Sequence, residues 1–417
     1  MSPTLFGLVF LCALALASAT RLWLAWRQVR HVRAHRAQVP PAFAQTISLA
    51  AHQKAADYTI AKNRLAALEL VVGAVVLVAL TLGGGLQALL TLWARVFVPG
   101  GIVHGTAFIA SVVVLLSVIE LPAVLYRTFV IEARFGFNRM TPGLFIADLA
   151  RHALLAAVLG LPLVMLVLWL MARAGPGWWL AVWFVWAGFN LLMLLIYPTF
   201  IAPLFNNFRP LSDAELAARI EALLARCGFT AKGLFVMDGS KRSSHGNAYF
   251  TGFGAAKRIV FFDTLLSRLA PAEVEAVLAH ELGHYRRHHV WKRVALLFAF
   301  SLALLWLLGQ LIDARWFYEG LGVTQPGAAV ALVLFFMVVP VFSFFLQPLA
   351  SLLSRRHEFE ADAYAAANAN ARDLVAALIK LYKDNAATLT PDPMHSAFYD
   401  SHPPAATRVA RLIAAAG

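Results

Sequence analysis

The sequence predicts a mainly α-helical, multi-pass membrane protein with two longer polar segments, the first of which contains a small β element. Composition is the first observation behind this prediction. Hydrophobic residues make up 60% of the chain and charged residues only 14%, too few to cover the surface of a soluble protein. The second observation is a series of apolar runs that are long enough to cross a bilayer.

Seven apolar runs follow one another along the chain. A helix rises ~1.5 Å per residue and the hydrocarbon layer is ~30 Å thick, so a span needs about 20 residues. The predicted spans are Leu5–Trp26, Leu68–Val98, Ile102–Tyr126, Ala153–Met171, Trp178–Phe200, Val294–Ile312 and Ala328–Leu353. Gly83, Gly84 and Gly85 interrupt the second run. The first run resembles a signal-peptide core, but no basic residue precedes it, so we expect a retained span, with cleavage as the alternative.

Positive charge is concentrated in the loops after the first and third spans. These charges are Arg21, Arg27, Arg30, Arg33, Arg36, Lys54, Lys62, Arg64, Arg127, Arg134, Arg139 and Arg151. Because positively charged loops stay on the cytoplasmic side, the N-terminus is predicted outside. The same rule predicts that the polar segments 205–293 and 354–417 face the cytoplasm.

The formal net charge of +13 raises nucleic-acid binding as an alternative. The arginines, however, lie mostly between apolar runs, where they orient helices and meet anionic headgroups. The predicted partner is therefore the lipid bilayer and not nucleic acid. The two cysteines, Cys12 and Cys227, are too few for a disulfide framework. Neither is predicted to be a nucleophile or a ligand.

These patterns divide the chain into four parts: five spans with their loops in 1–204, a polar segment in 205–293, two spans in 294–353 and a polar segment in 354–417. Within the first polar segment, PLSDAELAARIEALLARCGF is typical of an amphipathic helix. The stretches GLFVMDG, NAYFTGF and RIVFFD indicate short strands. PAEVEAVLAHELGHYRRHHVWKR begins with proline and is predicted to run as one helix into the sixth span.

That helix carries a His-Glu-x-x-His motif of His280, Glu281 and His284. Histidines four residues apart share one helix face and can ligate one ion. Neutral imidazoles suit zinc, and Glu281 is placed to reach a zinc-bound water and not the ion itself. A helix with two incidental histidines is the alternative for this motif alone.

Candidates for the third metal ligand lie directly after the seventh span, in SRRHEFEADAYA. Glu358 and Asp362 are again four residues apart, so Glu358 is predicted to complete a His2Glu site. Asp362 is predicted to accept the free ring N–H of a ligating histidine. Glu360 lies in the same segment but on a different helix face from Glu358. The alternative for the whole segment is an acidic, solvated helix start that binds no metal. The sixth and seventh spans form an antiparallel pair, which returns both motifs to the cytoplasmic interface.

Two further stretches carry candidate residues. KRSSHGNAYFTGFG contains His245 and Asn247, and an edge strand here could pair with an extended substrate backbone. SHPPAATRVARL contains His402 and Arg408. His402 is a candidate donor to the oxyanion that forms when water attacks a peptide carbonyl. Spacing alone favours surface or capping roles for these residues.

The chain contains, as separate motifs, FIAPLFNNFRPLSDAEL, KRSSHGNAYFTGFGAAKRIVFFDTLL, HELGHYRRHH, SRRHEFEADAYA and SHPPAATRVARL. With them it resembles the type I CAAX prenyl endopeptidases, which are integral-membrane zinc metalloproteases of the gluzincin kind. The resemblance implies seven helices that form a barrel around a water-filled chamber, capped on the cytoplasmic side by a zincin-like catalytic domain. It also implies one Zn²⁺ per chain. The residues it assigns are the ligands His280, His284 and Glu358, the catalytic Glu281, and Asn247, His402 and Arg408 around the substrate.

The resembled family cuts after the prenylated cysteine of a C-terminal CAAX box. The predicted function is therefore a zinc-dependent membrane endopeptidase that can cleave CAAX-type prenylated peptides. The expected partner is a peptide or protein substrate, prenylated or not. The chain is rich in Ala, Leu and Arg, and its tail RLIAAAG is not a basic retrieval signal. A bacterial inner membrane is accordingly predicted.

Three other functions share part of this pattern. The main alternative is a quality-control metalloprotease that degrades misfolded membrane proteins without a need for prenylation, although about four spans are expected there. An intramembrane protease would take its third ligand from an Asp-Gly motif in a later span, whereas Asp238-Gly239 precedes His280. A metal transporter would bury ionisable ligands at mid-span, and these lie at span ends.

Overall fold

A computed structural model describes residues 1–251 and 258–416. Within them, seven helices are long and apolar enough to cross a membrane, which confirms the predicted number. They are Pro3–Ala34, Leu49–Leu80, Ile102–Glu132, Pro142–Arg173, Gly175–Leu204, His289–Leu311 and Ala328–Asn368. The protein is thus a mainly α-helical, multi-pass membrane protein.

The helices are numbered in chain order. They are α1 (Pro3–Ala34), α2 (Leu49–Leu80), α3 (Gly85–Trp93), α4 (Ile102–Tyr126), α5 (Pro142–Leu155), α6 (Leu161–Arg173), α7 (Trp178–Ile196), α8 (Ala214–Arg226), α9 (Asp263–Leu266), α10 (Pro271–Arg286), α11 (His289–Leu311), α12 (Arg315–Glu319), α13 (Ala328–Ser343), α14 (Gln347–Asn368), α15 (Ala371–Asp384), α16 (Pro393–Tyr399) and α17 (Ala405–Ala416). The fourth span joins α5 to α6, and the seventh joins α13 to α14.

The second span differs from its predicted bounds of Leu68–Val98. It ends at Leu80, because the chain turns through the three glycines, where Gly84 has a φ of 79° that glycine adopts without steric cost. α3 is a separate short helix. At the other end, α2 begins at Leu49, where the hydroxyl of Ser48 accepts a hydrogen bond from a backbone amide of the first turn. The charged first half of α2 extends the helix beyond the apolar run.

The described part of the first polar segment forms a four-stranded sheet with the order β1-β2-β4-β3. Its strands are β1 (Phe208–Pro210), β2 (Leu234–Met237), β3 (Ala248–Thr251) and β4 (Arg258–Phe262). β2 and β4 are parallel, and the two outer pairs are antiparallel. The last three strands were predicted, although residues 252–254 of the Asn247 stretch lie outside the described residues. β1 was not predicted, because a three-residue strand ending in proline carries no alternation.

The amphipathic helix predicted near residue 213 is confirmed as α8. The carboxylate of Asp213 caps it by accepting a hydrogen bond from the amide of Leu216 at 2.9 Å. Its apolar side chains share one buried core with strand β4, through Ile220 on α8 and Ile259 and Phe261 on β4. α10 and α15 contribute to the same core, and Ala365 on α14 joins it, so this domain packs against the end of the seventh span.

The helix that carries His280 does not continue into the sixth span, so that prediction was wrong. α10 ends at Arg286 and α11 begins at His289. Between them, His288 has a φ of 57° and a ψ of 31°, a left-handed conformation that costs a non-glycine residue ~1–2 kcal/mol. The turn brings His289 back against the end of α10. No glycine or proline marks the turn in the sequence.

A cavity of about 1,050 Å³ lies among α2, α4 and α13. Its wall is largely apolar, with charged side chains such as Arg64, Glu69 and Glu120 among the lining residues. A protein-lined space of this kind within the membrane helices agrees with the chamber that the sequence resemblance implies.

Candidate active site

The candidate site lies where α10 meets α14. Gly283 of α10 faces Ala361 of α14 so closely that an added Cβ atom would lie 2.9 Å from the Cα of Ala361. Only glycine permits this approach of two backbones. As a result, His280 and His284 on α10 face Glu358 on α14.

The two imidazoles and the carboxylate of these residues lie close together. The Nε2 atoms of His280 and His284 are 3.2 Å apart. Glu358 places Oε2 at 3.5 Å from Nε2 of His280 and Oε1 at 3.3 Å from Nε2 of His284. A tetrahedral ion with bonds of ~2.0–2.1 Å has ligand atoms ~3.4 Å apart. The trio therefore fits one tetrahedral metal ion with a fourth position left over, and these are the three residues predicted as ligands.

The second ring nitrogen of His280 faces a buried ion pair. Its Nδ1 lies 2.9 Å from Oδ1 of Asp362, the contact expected for a carboxylate that orients a ligating histidine. Arg408 in turn donates two hydrogen bonds of 2.7 Å to Asp362. Burial opposes the charge of Arg408, but the bonds to Asp362 outweigh it and raise the pKa of the guanidinium above its usual value.

His402 reaches the site from the turn that precedes α17. Its Nδ1 lies 2.6 Å from Oε2 of Glu358, so an N–H at this position donates to the predicted third ligand. The side chain of Glu358 is 4% exposed, whereas that of His402 is 63% exposed. His402 therefore connects a buried carboxylate with the open side of the site.

Glu281 is partly buried and adjoins His280 on α10. Asn247 is exposed at the start of β3, where its side-chain oxygen accepts a hydrogen bond from the amide of Ala248 at 2.8 Å. His245 lies elsewhere. It stacks on Phe137 with ring centroids 4.5 Å apart, and its Nδ1 is 3.2 Å from the side-chain oxygen of Asn385. These contacts tie the loop before β3 to two helix ends, and they do not involve the three donor residues.

Sequence reasoning missed His289 and Glu360. His289 is buried, with Nδ1 at 2.9 Å from Nδ1 of His284 and Nε2 at 3.1 Å from Oε2 of Glu360. On a continuous helix His289 would not face His284 in this way. The left-handed residue His288 creates the contact, and the only sequence signal for it is the presence of polar residues where an apolar span is about to begin.

A second cavity, of about 640 Å³, adjoins the site between α7 and α11. Its lining residues include His284 and His288, together with the aromatic side chains of Tyr249 and Phe250 from β3. The remainder is mostly apolar and is lined by side chains of α7 and α11 such as Val294. This volume lies within the usual range of about 300–1,000 Å³ for small-molecule sites.

Two family models match the chain. The model described as the CAAX prenyl protease N-terminal region, with five membrane helices, matches residues 28–207. The model of peptidase family M48 matches residues 210–416, which contain every predicted ligand. The boundary between them falls at strand β1, Phe208–Pro210.

Individual proteins resemble the chain over most of its length. The CAAX prenyl protease 1 homolog of Oryza sativa is 40% identical over 75% of this chain and 73% of its own. CAAX prenyl protease 1 of Saccharomyces cerevisiae is 36% identical over 75% of this chain and 72% of its own. The crystal structure of S. mikatae Ste24p superposes with a TM-score of 0.90 at 29% identity, covering 98% of each chain. The protein is therefore a multi-pass membrane metallopeptidase that belongs to the CAAX prenyl protease 1 family, within peptidase family M48.

Proposed function

We propose that this protein is a zinc endopeptidase that cleaves the C-terminal peptide of prenylated CAAX-type substrates. The observation that supports it most is the convergence of His280, His284 and Glu358. The two Nε2 atoms are 3.2 Å apart, and each has one carboxylate oxygen of Glu358 within 3.5 Å, which is close to the ~3.4 Å between ligand atoms around tetrahedral zinc. Two imidazoles and one carboxylate are also a ligand set typical of catalytic zinc. One Zn²⁺ per chain is proposed.

Zinc bound at this position would lower the pKa of a coordinated water and polarise the peptide carbonyl. Glu281 is proposed as the general base, which takes a proton from the attacking water and passes it to the leaving amine. Its position next to His280 on α10 supports this role. Asp362 and Arg408 are proposed to keep His280 in the tautomer whose Nε2 is free, through the contact at 2.9 Å.

His402 is proposed to stabilise the oxyanion. With Nδ1 donating to Glu358, the opposite nitrogen Nε2 points away from that carboxylate and, in the protonated ring, can donate to a developing negative charge. The high exposure of its side chain supports access to substrate. Asn247 is proposed to help hold the substrate, since it directly precedes strand β3 at the edge of the sheet, where an extended peptide can add as a further strand.

The cavity between α7 and α11 supports a prenylated substrate. It is mostly apolar, it is of a size that holds an isoprenoid chain, and the proposed ligand His284 is one of its lining residues. A peptide laid along β3 could therefore place its lipid in this cavity while its scissile bond lies at the metal.

We further propose that the N-terminus lies outside and the metal site faces the cytoplasm of a bacterial inner membrane. The supporting observation is the excess of Lys and Arg in the loops after the first and third spans. In this arrangement, residues 205–293 and 354–417 form one catalytic unit, and residues 1–204 and 294–353 form the membrane part.

The test is mass spectrometry of the products that purified protein releases from farnesylated and unprenylated CAAX peptides. We expect a C-terminal tripeptide from the farnesylated peptide, loss of the product with a zinc chelator, and recovery after zinc is added. Equal cleavage of both peptides would favour a quality-control protease. No cleavage of either by zinc-loaded protein would contradict the proposal.

A further inference from the structure

A line of three side chains leads away from the predicted metal ligand His284. Its Nδ1 lies 2.9 Å from Nδ1 of His289, and Nε2 of His289 lies 3.1 Å from Oε2 of Glu360. Glu360 also accepts a hydrogen bond from Arg356 at 3.2 Å. His289 is 1% exposed, so water does not compete for either of its nitrogens.

The direction of these hydrogen bonds follows from ligation. A His284 ring that binds metal through Nε2 must carry its proton on Nδ1. That N–H can only donate, so Nδ1 of His289 accepts, and the proton of the His289 ring lies on Nε2. Nε2 then donates to the carboxylate of Glu360. Each of the two distances is thereby explained by one donor and one acceptor.

We infer that His289 is a positioning residue for the metal site, and that Glu360 orients it. His289 fixes the tautomer and the ring plane of His284 and thereby strengthens metal binding. The inference rests on the proposed zinc function and adds residues to it that the resemblance did not assign.

The two ligating histidines are consequently oriented in different ways. His280 contacts the carboxylate of Asp362 directly at 2.9 Å, whereas His284 is connected to a carboxylate through a second imidazole. The left-handed turn at His288 makes the second arrangement possible, because it returns His289 to the end of α10. His357 stacks on His289 with ring centroids 4.0 Å apart and planes 12° apart, which holds the imidazole of His289 in its plane.

The test compares variants of the full-length protein in detergent. His289→Phe keeps a ring for the stack but removes both hydrogen bonds. His289→Asn keeps an acceptor near the position of Nδ1 but has no donor at the position of Nε2, so it keeps only the contact to His284. His357→Phe is the matched control, because it keeps a ring to stack on His289 and replaces a buried histidine whose Nδ1 makes no hydrogen bond in the described structure. Zinc affinity is measured by competition with a chromophoric chelator, and the fold by circular dichroism.

We expect His289→Phe to weaken zinc affinity by about 10- to 100-fold, the usual effect of removing such a partner. His289→Asn should recover part of the loss, and His357→Phe should change the affinity less than about threefold. The kcat of His289→Phe should recover at saturating zinc with KM unchanged. Glu360→Gln, which keeps an acceptor, should give a smaller loss and serves as the test if the phenylalanine variant does not fold.

Three outcomes overturn the inference. The first is a folded His289→Phe variant that binds zinc as tightly as the wild type. The second is an equal loss of zinc affinity in the Phe and Asn variants. The third applies where Glu360→Gln is the test, and is wild-type zinc affinity in that variant. If the wild-type protein does not bind zinc, the proposed function is overturned as well. If the wild type and His289→Phe both bind zinc tightly, only the role of His289 is overturned.

Discussion

The guanidinium of Arg27, on the first membrane helix, makes two hydrogen bonds of 3.1 and 3.0 Å with the carboxylate of Asp392 near the C-terminus. Asp392 also caps α16, because it accepts hydrogen bonds from the amides of Met394 and His395. One buried carboxylate thus joins the first span to the segment that leads to His402.

Asp392→Ala is expected to lower the free energy of unfolding by about 2 kcal/mol, since it removes a helix cap and a charge-assisted pair. Burial favours a higher pKa for Asp392, but hydrogen bonds from Arg27 and His395 hold it below its usual value. This contribution is therefore present above the unfolded pKa of ~3.9 and is lost as the pH falls below it.

Thermal unfolding at pH 7 and pH 3 measures both effects. The wild type should lose more stability between these pH values than Asp392→Ala does. Glu221→Ala, at an exposed position of α8, is the control and should leave the unfolding midpoint unchanged. Equal losses in wild type and Asp392→Ala would contradict the assignment.

Glu281→Gln is expected to keep metal and lose at least 100-fold in kcat. The amide cannot take a proton from water, and general base catalysis contributes ~10²–10⁴. Metal content by mass spectrometry and cleavage of a farnesylated CAAX peptide measure the two properties separately. Full activity in this variant would exclude Glu281 as the base.

His402→Ala is expected to lower kcat by about 100-fold and to change KM less than about threefold. A group that stabilises the oxyanion acts in the transition state and not in the bound substrate. Steady-state kinetics at saturating zinc distinguishes this role, because His402 also contacts Glu358. A rise in KM at constant kcat would instead assign His402 to substrate binding.

Gly283→Ala is expected to weaken metal binding and to destabilise the protein by about 1–3 kcal/mol, the usual range for overpacking. The added Cβ atom would meet the backbone of Ala361 at 2.9 Å and separate α10 from α14. Gly188→Ala on α7, where nothing lies within 4 Å, should be neutral or slightly stabilising. Equal zinc affinity in both variants would show that the helices tolerate the added methyl group.

Val294→Trp is expected to raise KM for a farnesylated peptide by about tenfold, which corresponds to ~1.4 kcal/mol. The larger side chain would occupy part of the cavity between α7 and α11. KM for an unprenylated peptide should be unchanged. Leu296→Trp, at an exposed position of α11, is the control. An equal effect on both peptides would place the isoprenoid elsewhere.

The number of spans, the amphipathic helix α8 and three of the strands could be predicted, because each depends on local periodicity and capping. The three donor residues could be predicted as a set because i, i+4 spacing and an antiparallel pair of spans are strong constraints on position. Asp362 was predicted to accept the free ring N–H of a ligating histidine, and its contact to His280 agrees with that prediction.

The break at His288 and the contacts of His289 could not be predicted, because polar residues before an apolar span are a weak signal and do not specify a left-handed histidine in a run of helix-compatible residues. The same limit applies to Arg408, which was assigned to the surroundings of the substrate. In the structure it is 5% exposed and lies against Asp362 and His280. That neighbourhood depends on how α17 docks, which is a matter of tertiary packing.

The turn at His288 separates α10 from the sixth span, whereas Glu358 is carried on the same continuous helix as the seventh, Ala328–Asn368. A metal ion held by both helices is therefore a crosslink between the folded domain and a membrane helix. If the seventh span were shifted along its axis, Glu358 would be displaced by ~1.5 Å for each residue of the shift. Metal binding by the proposed ligand set therefore requires α10 and α14 to be in register, because the two histidines and Glu358 lie on different helices.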